Sequence, residues 1–336
     1  MKFAGIIAEY DPFHNGHAWQ LAQAKALGAE RVAVAMSCSL VQRGALPLLP
    51  EAVRTRSALT CGADLVFALP APCACAGAEA FARAGVALLA AAGCDGLVFG
   101  AETPDAALLM EAAELLDSGS YRAALKAQLA GGARSFAAAR QAAAAQLASD
   151  ERVAALLDKP NNNLAVEYCR AIRSLAPRME AYPLPRQGAN HGEALHSAHG
   201  QFASASALRK LWAEGGADAV APYVPEAVFP LYQEAYAAGQ YTDFSAAGRC
   251  ELALLRSACR GKAPFADIRG VSEGLEHRLE AAVRTSTTYD ELLDALTTVR
   301  YPRARMRRLA MDAALGCTAD SLPAPALPYG HLNPPV

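Results

Sequence analysis

The opening 27 residues constrain the fold more tightly than any other stretch. Phe3 to Ala8 is an unbroken apolar run, long enough for one strand buried on both faces. Turn-forming residues follow, Asp11-Pro12-Phe13-His14-Asn15-Gly16-His17, and Ala18 to Leu27 then reads as a helix. A strand that passes through a short turn into a helix is the first half of a parallel βα unit. It sets His14 and His17 at the start of the helix, where unpaired backbone N–H groups and the positive end of the dipole favour phosphate. Gly16 between the imidazoles lets a ligand come close to the backbone. Two imidazoles there suit a triphosphate attacked at its α-phosphorus; the plainer alternative is a turn with two solvated histidines.

The pattern repeats. Arg31–Ser37, Asp64–Leu69 and Gly96–Gly100 read as further strands, and Ala78–Ala92 as a helix between them. Continuous rather than alternating apolar runs predict a parallel sheet covered on both faces. The expected fold is therefore α/β, a Rossmann-like doubly wound sheet with ligands at the carboxyl ends of its strands. His14, His17 and Gly100-Ala101-Glu102 fall at such ends. Helical periodicity over 106–116, 121–129 and 135–147 predicts a helical insertion at about 104–158. Met179–Leu184 reads as a fifth strand. From 215 the pattern is helical only, over 224–237, 244–258, 275–283, 289–296 and 303–315. The expected organisation is a nucleotide-binding catalytic domain at 1–214, an α-helical domain at 215–320 and a proline-rich tail at 321–336.

Composition narrows the partners. The chain has 336 residues, 53% hydrophobic and 19% charged, with a formal net charge of −2. Any nucleic-acid contact must then come from a local patch. Nine cysteines are scattered without a C-x-x-C pair, so no zinc site is expected and a reducing, cytoplasmic setting is. No apolar run reaches the roughly 20 residues that span a bilayer, and no signal peptide precedes the first strand, so no membrane partner is expected. Nothing in the sequence sets an oligomeric state.

Three later segments carry polar chemistry. Lys159-Pro160-Asn161-Asn162-Asn163 leads into an apolar helix: one Asn suffices as a cap, and surplus amides could read a base or a ribose. Ser204, Ser206 and Arg209 precede or open another helix, where hydroxyls and a guanidinium can grip a polyphosphate, although an ordinary Ser cap gives the same pattern. Arg300, Arg303, Arg305, Arg307 and Arg308 cluster around Tyr301, a patch suited to a phosphate backbone or to inter-domain salt bridges.

The strand–H-x-G-H–helix pattern resembles the signature of the nucleotidyltransferase and class I aminoacyl-tRNA synthetase superfamily. Taken with further blocks, the chain resembles the bacterial tRNA(Met) cytidine acetate ligase family. The blocks are G-I-I-A-E-Y-D-P-F-H-N-G-H, M-S-C-S-L-V-Q-R-G, D-L-V-F-A-L-P, F-A-R-A-G, L-V-F-G-A-E, K-P-N-N-N-L-A, S-A-S-A-L-R, G-V-S-E-G-L-E-H-R and V-R-Y-P-R-A-R-M-R-R, in family order from residue 3 to about 315. The resemblance implies that ATP and acetate give acetyl-adenylate, and that the wobble cytidine of elongator tRNA(Met) then takes the acetyl group as N4-acetylcytidine. It implies catalysis by His14 and His17. It implies an ATP site of Ile7, Ala8, Glu9, Tyr10, Asp11, Phe13, His14, Gly16, His17, Gln20, Gly100, Asn161 or Asn162, Arg186, Ser204, Ser206 and Arg209. Mg²⁺ would accompany the phosphates, no dedicated carboxylate cage being evident. Arg300 to Arg308 would contact RNA.

The chain departs from the family pattern at Asp11, where Asn is usual, at Cys38 in place of Gly, and at Glu51 and Ala52 in place of Lys and Trp; Arg54 is kept. An anion at position 11 needs a cation to meet it. These departures leave a second reading open, a nucleotidyltransferase that adenylylates a different small acid or phosphate ester without RNA. A nucleotide-binding protein without catalysis is a third, disfavoured by retention of both histidines, both serines and Arg209.

Overall fold

In the computed structural model, residues 1–133, 135–185, 195–197, 200–261 and 263–321 are described. The elements run β1 (Phe3–Ala8), α1 (Asn15–Ala26), β2 (Arg31–Ser37), α2 (Glu51–Thr60), β3 (Leu65–Leu69), α3 (Ala71–Ala74), α4 (Ala78–Ala91) and β4 (Gly96–Ala101). Then come α5 (Ala106–Asp117), α6 (Gly119–Ala130), α7 (Phe136–Leu147), α8 (Glu151–Leu156), α9 (Pro160–Leu175), β5 (Glu180–Pro185), β6 (Leu195–Ser197) and β7 (Gly200–Phe202). The chain ends in α10 (Ala205–Val220), α11 (Phe229–Ala237), α12 (Phe244–Ala258), α13 (Leu275–Thr285), α14 (Tyr289–Leu296) and α15 (Arg303–Leu315).

Five strands form one parallel sheet in the order β3-β2-β1-β4-β5, the doubly wound arrangement expected from the apolar runs. The chain crosses from one side of β1 to the other between β3 and β4. The crevice beyond the carboxyl ends of β1 and β4 is thus the topological switch point, where such sheets bind ligands. Ala4 lies opposite Gly96. Carrying this register forward brings Ala8 level with Gly100.

Successive strand residues point to opposite faces, and both faces are buried. Ile6, Val34, Met36 and Val98 join one core with α1, α2, α10 and α11. Ala33, Ala35, Leu97 and Phe99 join the other with α4, α5 and α9. Close packing needs glycine at two places: a Cβ on Gly85 of α4 would lie 2.6 Å from Ile7 Cδ1, and one on Gly5 2.8 Å from Leu89. Leu108, Leu109, Ala143 and Val153 belong to the second core, so the expected insertion packs continuously with the sheet. The first core extends to Val228, Tyr232 and Ala235. A separate cluster, Leu252 to Ala313, holds α12–α15 together. Leu40, Cys75 and Met311 join that unit to the sheet.

Several expected boundaries shift, each for a local reason. Helix α1 starts at Asn15 rather than Ala18, because His14 caps it. The helix expected from 224 begins only at Phe229, after a 3₁₀ turn at Ala221–Tyr223 that contains Pro222. Helix α2 was not expected: it buries only Val53, Arg54, Ser57 and Ala58, too sparse an apolar stripe to read. The short β6–β7 hairpin also lacks a readable alternation. From 322 on, the proline-rich tail lies outside the described residues.

Candidate functional site

The junction of β1 and α1 is built by the backbone and the two imidazoles together. Tyr10 adopts a left-handed φ of 49°, and the Asp11–Pro12 peptide is cis. His14 is the N-cap of α1, and its Nδ1 accepts from Gly16 N (3.0 Å). His17 Nδ1 in turn accepts from His14 N (3.3 Å), a reciprocal cap that satisfies two orphan donors. The rings stack with centroids 3.8 Å apart and 21° between planes. Because both Nδ1 atoms accept, the proton of each neutral ring sits on Nε2. Tyr10 packs edge-on to His17 (4.8 Å) and Phe13 is tilted beside it (5.6 Å), both fully buried. Glycine at position 16 leaves the His14 ring its place: a Cβ there would lie 2.9 Å from His14 Cε1 and displace the imidazole.

Two segments distant in sequence close on this turn. Asn15 Nδ2 donates to the carbonyls of Gln201 (3.0 Å) and Pro222 (3.3 Å), and Tyr232 Oη donates to Phe13 O (2.7 Å). Ser204 caps α10, its Oγ accepting from Ala207 N (3.2 Å) and lying 3.1 Å from Ser206 Oγ. One turn on, Arg209 Nη1 donates to Asp11 O (2.6 Å) and pairs with Asp11 Oδ2 (2.9 Å). Asp11 is 5% exposed and also accepts from Leu48 N (2.6 Å). The anion that departs from the family pattern therefore has its cation, and that cation is Arg209. Gln20 reaches across to β4, donating to Val98 O (3.1 Å).

At the end of β4, Glu102 accepts from Asn161 Nδ2 (2.6 Å) and from the backbone N–H of Asn162 (2.6 Å), anchoring the first turn of α9. Buried Asn162 binds the Thr103 backbone N–H (2.9 Å), and Asn163 binds the carbonyls of Leu157 and Lys159. The amides of Asn162 and Asn163 thus hold backbone, while that of Asn161 holds Glu102. Gly100 is exposed at the strand end beside them. Arg186 lies outside the described residues.

Sequence reading missed the brace beneath the site. Arg54 is fully buried and donates to the carbonyls of Leu49 (3.0 Å), Glu9 (2.8 Å), Ser37 (2.6 Å) and Cys38. It ties the carboxyl ends of β1 and β2 to the start of α2. Burial pulls its guanidinium below the ordinary Arg range, opposed by Asp11 and Glu51. Burial pushes the Glu9 carboxyl above the usual Glu range, although Gln42 N donates to it and Arg43 and Arg209 favour its anion. Glu51, exposed at the start of α2, lines a cavity of about 410 Å³ with Cys38, Leu46 and Tyr241.

The arginine cluster sits apart from the histidines and touches the site through the 38–50 loop. Arg308 Nη1 donates to Gln42 O (3.3 Å), and a Cβ on Gly44 (φ 74°) would lie 2.6 Å from Arg308 N. Arg300 pairs with Glu273 (2.7 Å), and Arg303 with Asp290 (2.7 Å) and Asp294. Arg305 lies over the Tyr301 ring, 5.0 Å from its centroid. Arg307 acts on Glu251, whose carboxyl burial pushes up. Among the described residues no group of three or more His, Cys, Asp or Glu could hold a metal ion, and no helix is long and apolar enough to cross a membrane.

The comparisons with known proteins agree with this geometry. The HIGH Nucleotidyl Transferase family profile matches residues 1–329. The tRNA(Met) cytidine acetate ligase of Syntrophotalea carbinolica is 36% identical over 314 residues, 93% of this chain and 73% of that protein. Its counterpart in Acetivibrio thermocellus is 33% identical, over 96% of this chain and 79% of that protein. The crystal structure of Thermotoga maritima TmcAL bound with alpha-thio ATP superposes with a TM-score of 0.85 at 30% identity, covering 95% of this chain and 76% of that one. Its apo form gives 0.87. With the doubly wound sheet, the H-x-G-H junction and these relatives in register over nearly its whole length, the chain belongs to the HIGH nucleotidyl transferase family, among the tRNA(Met) cytidine acetate ligases.

Proposed function

We propose that this chain is an ATP-dependent acetate ligase, which makes acetyl-adenylate and passes the acetyl group to the wobble cytidine of elongator tRNA(Met). The observation that carries the reading is the stacked His14–His17 pair at the switch point, in a chain similar to ligases of that name over more than nine-tenths of its length. An acetate oxygen attacks the α-phosphorus of ATP and pyrophosphate leaves. Negative charge grows on the bridging oxygen, and donors preorganised toward it lower the barrier. The Nε2–H groups of His14 and His17 are those donors, assisted by the N–H groups opening α1. The exocyclic amine of cytidine then attacks the acetyl carbonyl, and AMP leaves with the bridging oxygen.

In this reading Ile7 to Gln20, Gly100 and Asn161 or Asn162 surround the adenosine and α-phosphate. Ser204, Ser206 and Arg209 hold the outer phosphates. Mg²⁺ would accompany the triphosphate and neutralise part of its charge; among the described residues no group of three or more His, Cys, Asp or Glu is placed to hold it. The helical unit α12–α15 and the arginines at 300–308 receive the tRNA. The test is pyrophosphate release with ATP, Mg²⁺ and acetate, with and without bulk bacterial tRNA, followed by nucleoside analysis of that tRNA. Acetate-dependent pyrophosphate together with N4-acetylcytidine supports the reading. Turnover with another acid and no modified nucleoside refutes it in favour of a small-molecule nucleotidyltransferase.

A further inference from the structure

The five arginines at 300–308 are not equivalent. Arg300 and Arg303 already face carboxylates. Arg305 and Arg308 form no ion pair among the described residues. Both line a cavity of about 290 Å³ whose wall includes a third arginine from outside the cluster, Arg269. At roughly 30 Å³ per water molecule, that space holds about ten waters, enough for a phosphodiester group and part of its hydration.

The charge in this cavity is unbalanced. Asp312 is its one acid, and Arg269 takes both carboxylate oxygens (2.9 and 2.5 Å). Arg269 also donates to the carbonyls of Pro72 and Cys75 (2.6 Å), which fixes it against α3 and the residue that follows it. Three guanidiniums against one carboxylate leave an excess of two positive charges. Burial pulls Arg308 below the ordinary Arg range; Cys75 and Asp312 oppose that pull, and the nearby charges of Arg305 and Arg269 add to it. Holding like charges together in a half-buried cavity is costly unless an anion joins them.

We propose that the cavity bounded by Arg269, Arg305 and Arg308 binds one backbone phosphate of the RNA substrate. The inference rests on the tRNA reading given above and names the site that reading lacks. The occupant is a phosphodiester rather than a phosphate of ATP, because the cavity is lined by residues that follow α3 and by α15, none of which belongs to the proposed nucleotide site. Tyr301, with Arg305 over its ring, offers a flat aromatic surface beside the cavity for a neighbouring base.

The experiment measures binding of bulk bacterial tRNA to the full chain between about 50 and 200 mM salt, apart from any turnover. R305Q/R308Q is expected to weaken binding about tenfold or more and to flatten the salt dependence by about one phosphate contact. R122Q/K126Q, which removes the same charge from exposed positions on α6, is expected to change affinity less than threefold. Arg308 is tied to Gln42 O, so R305Q alone, which leaves that bond intact, carries the same prediction at about three- to fivefold. Equal effects from the two double variants, or none from either, overturn the proposal. Inorganic phosphate that binds wild type but not R305Q, with tRNA affinity unmoved, overturns it in favour of a free-phosphate site. Wild type that releases acetate-dependent pyrophosphate yet binds no tRNA overturns both this site and the tRNA reading; tRNA binding that ignores R305Q overturns the site alone.

Discussion

Gly16→Ala separates catalytic geometry from fold stability in one substitution. The added Cβ would lie 2.9 Å from His14 Cε1 and 3.0 Å from His14 Nδ1, too close for the imidazole to stay where it is. The ring is the end of a flexible side chain, so it swings away at little cost to the backbone. Two stability terms then oppose each other. Ala replaces Gly in the first turn of a helix, a gain of at most about 1 kcal/mol, while the lost His14 cap costs about 1 kcal/mol. The thermal midpoint should stay within about 4 °C of wild type. The stack over His17 and the aim of His14 Nε2 are lost together, and one displaced donor costs about 10² to 10³ in rate. Acetate-dependent pyrophosphate release at saturating ATP, with a parallel thermal melt, tests both halves. A rate within threefold of wild type refutes the role given to the stack. A collapse in the melting temperature refutes the claim that the cap is energetically replaceable.

Three further outcomes follow from the same contacts. Arg54→Met removes the donor shared by four buried carbonyls, and unsatisfied buried acceptors cost about 1–3 kcal/mol each; chemical denaturation should show a loss of about 3 kcal/mol or more, and a loss under 1 kcal/mol would contradict the brace. Asp11→Asn keeps an acceptor for Leu48 N but takes a negative charge from beside Arg209, so ATP should bind about tenfold tighter by titration calorimetry; unchanged or weaker binding would show that Arg209 does not meet phosphate. For Glu9, a carboxyl raised by burial keeps its proton in the folded chain after the unfolded chain has lost it. Its contribution to stability is full below about pH 4.3 and is lost as pH rises through the folded value. Glu9→Gln should therefore gain stability relative to wild type as pH rises above about 4.3 and until the folded value of Glu9 is passed, in denaturant titrations, and a pH-independent difference would refute the shift.

The sheet was legible because its strands are apolar on both faces. Phe3–Ala8 and Arg31–Ser37 are strands with the very boundaries their apolar runs suggest. The H-x-G-H junction was legible for a related reason: a Gly between two histidines after a buried strand has few uses. What escaped was whatever depends on partners far away in sequence. Arg54 sits in a segment with no apolar period, and only the fold shows that four carbonyls converge on it. Ser204, Ser206 and Arg209 could be read as a helix start, but not that Arg209 would spend a bond on Asp11, nearly two hundred residues earlier. Arg269 stood outside the arginine cluster and gave no signal at all, since its value comes from packing against α15 and α3.

The 38–50 loop makes these pieces one device rather than several. At one end Gln42 N donates to Glu9 at the carboxyl end of β1; at the other Gln42 O accepts from Arg308, and Gly44 lies against the α15 backbone too closely for any side chain. Arg54 holds the carbonyl of Cys38, where the loop leaves β2, and Asp11 holds the N–H of Leu48, where it returns. The loop therefore links α15 to Glu9 and Asp11, and through Asp11 to Arg209. The residue that departs from the family pattern and the guanidinium proposed to meet the outer phosphates are thus joined to the same loop that touches α15, the helix proposed to receive the RNA.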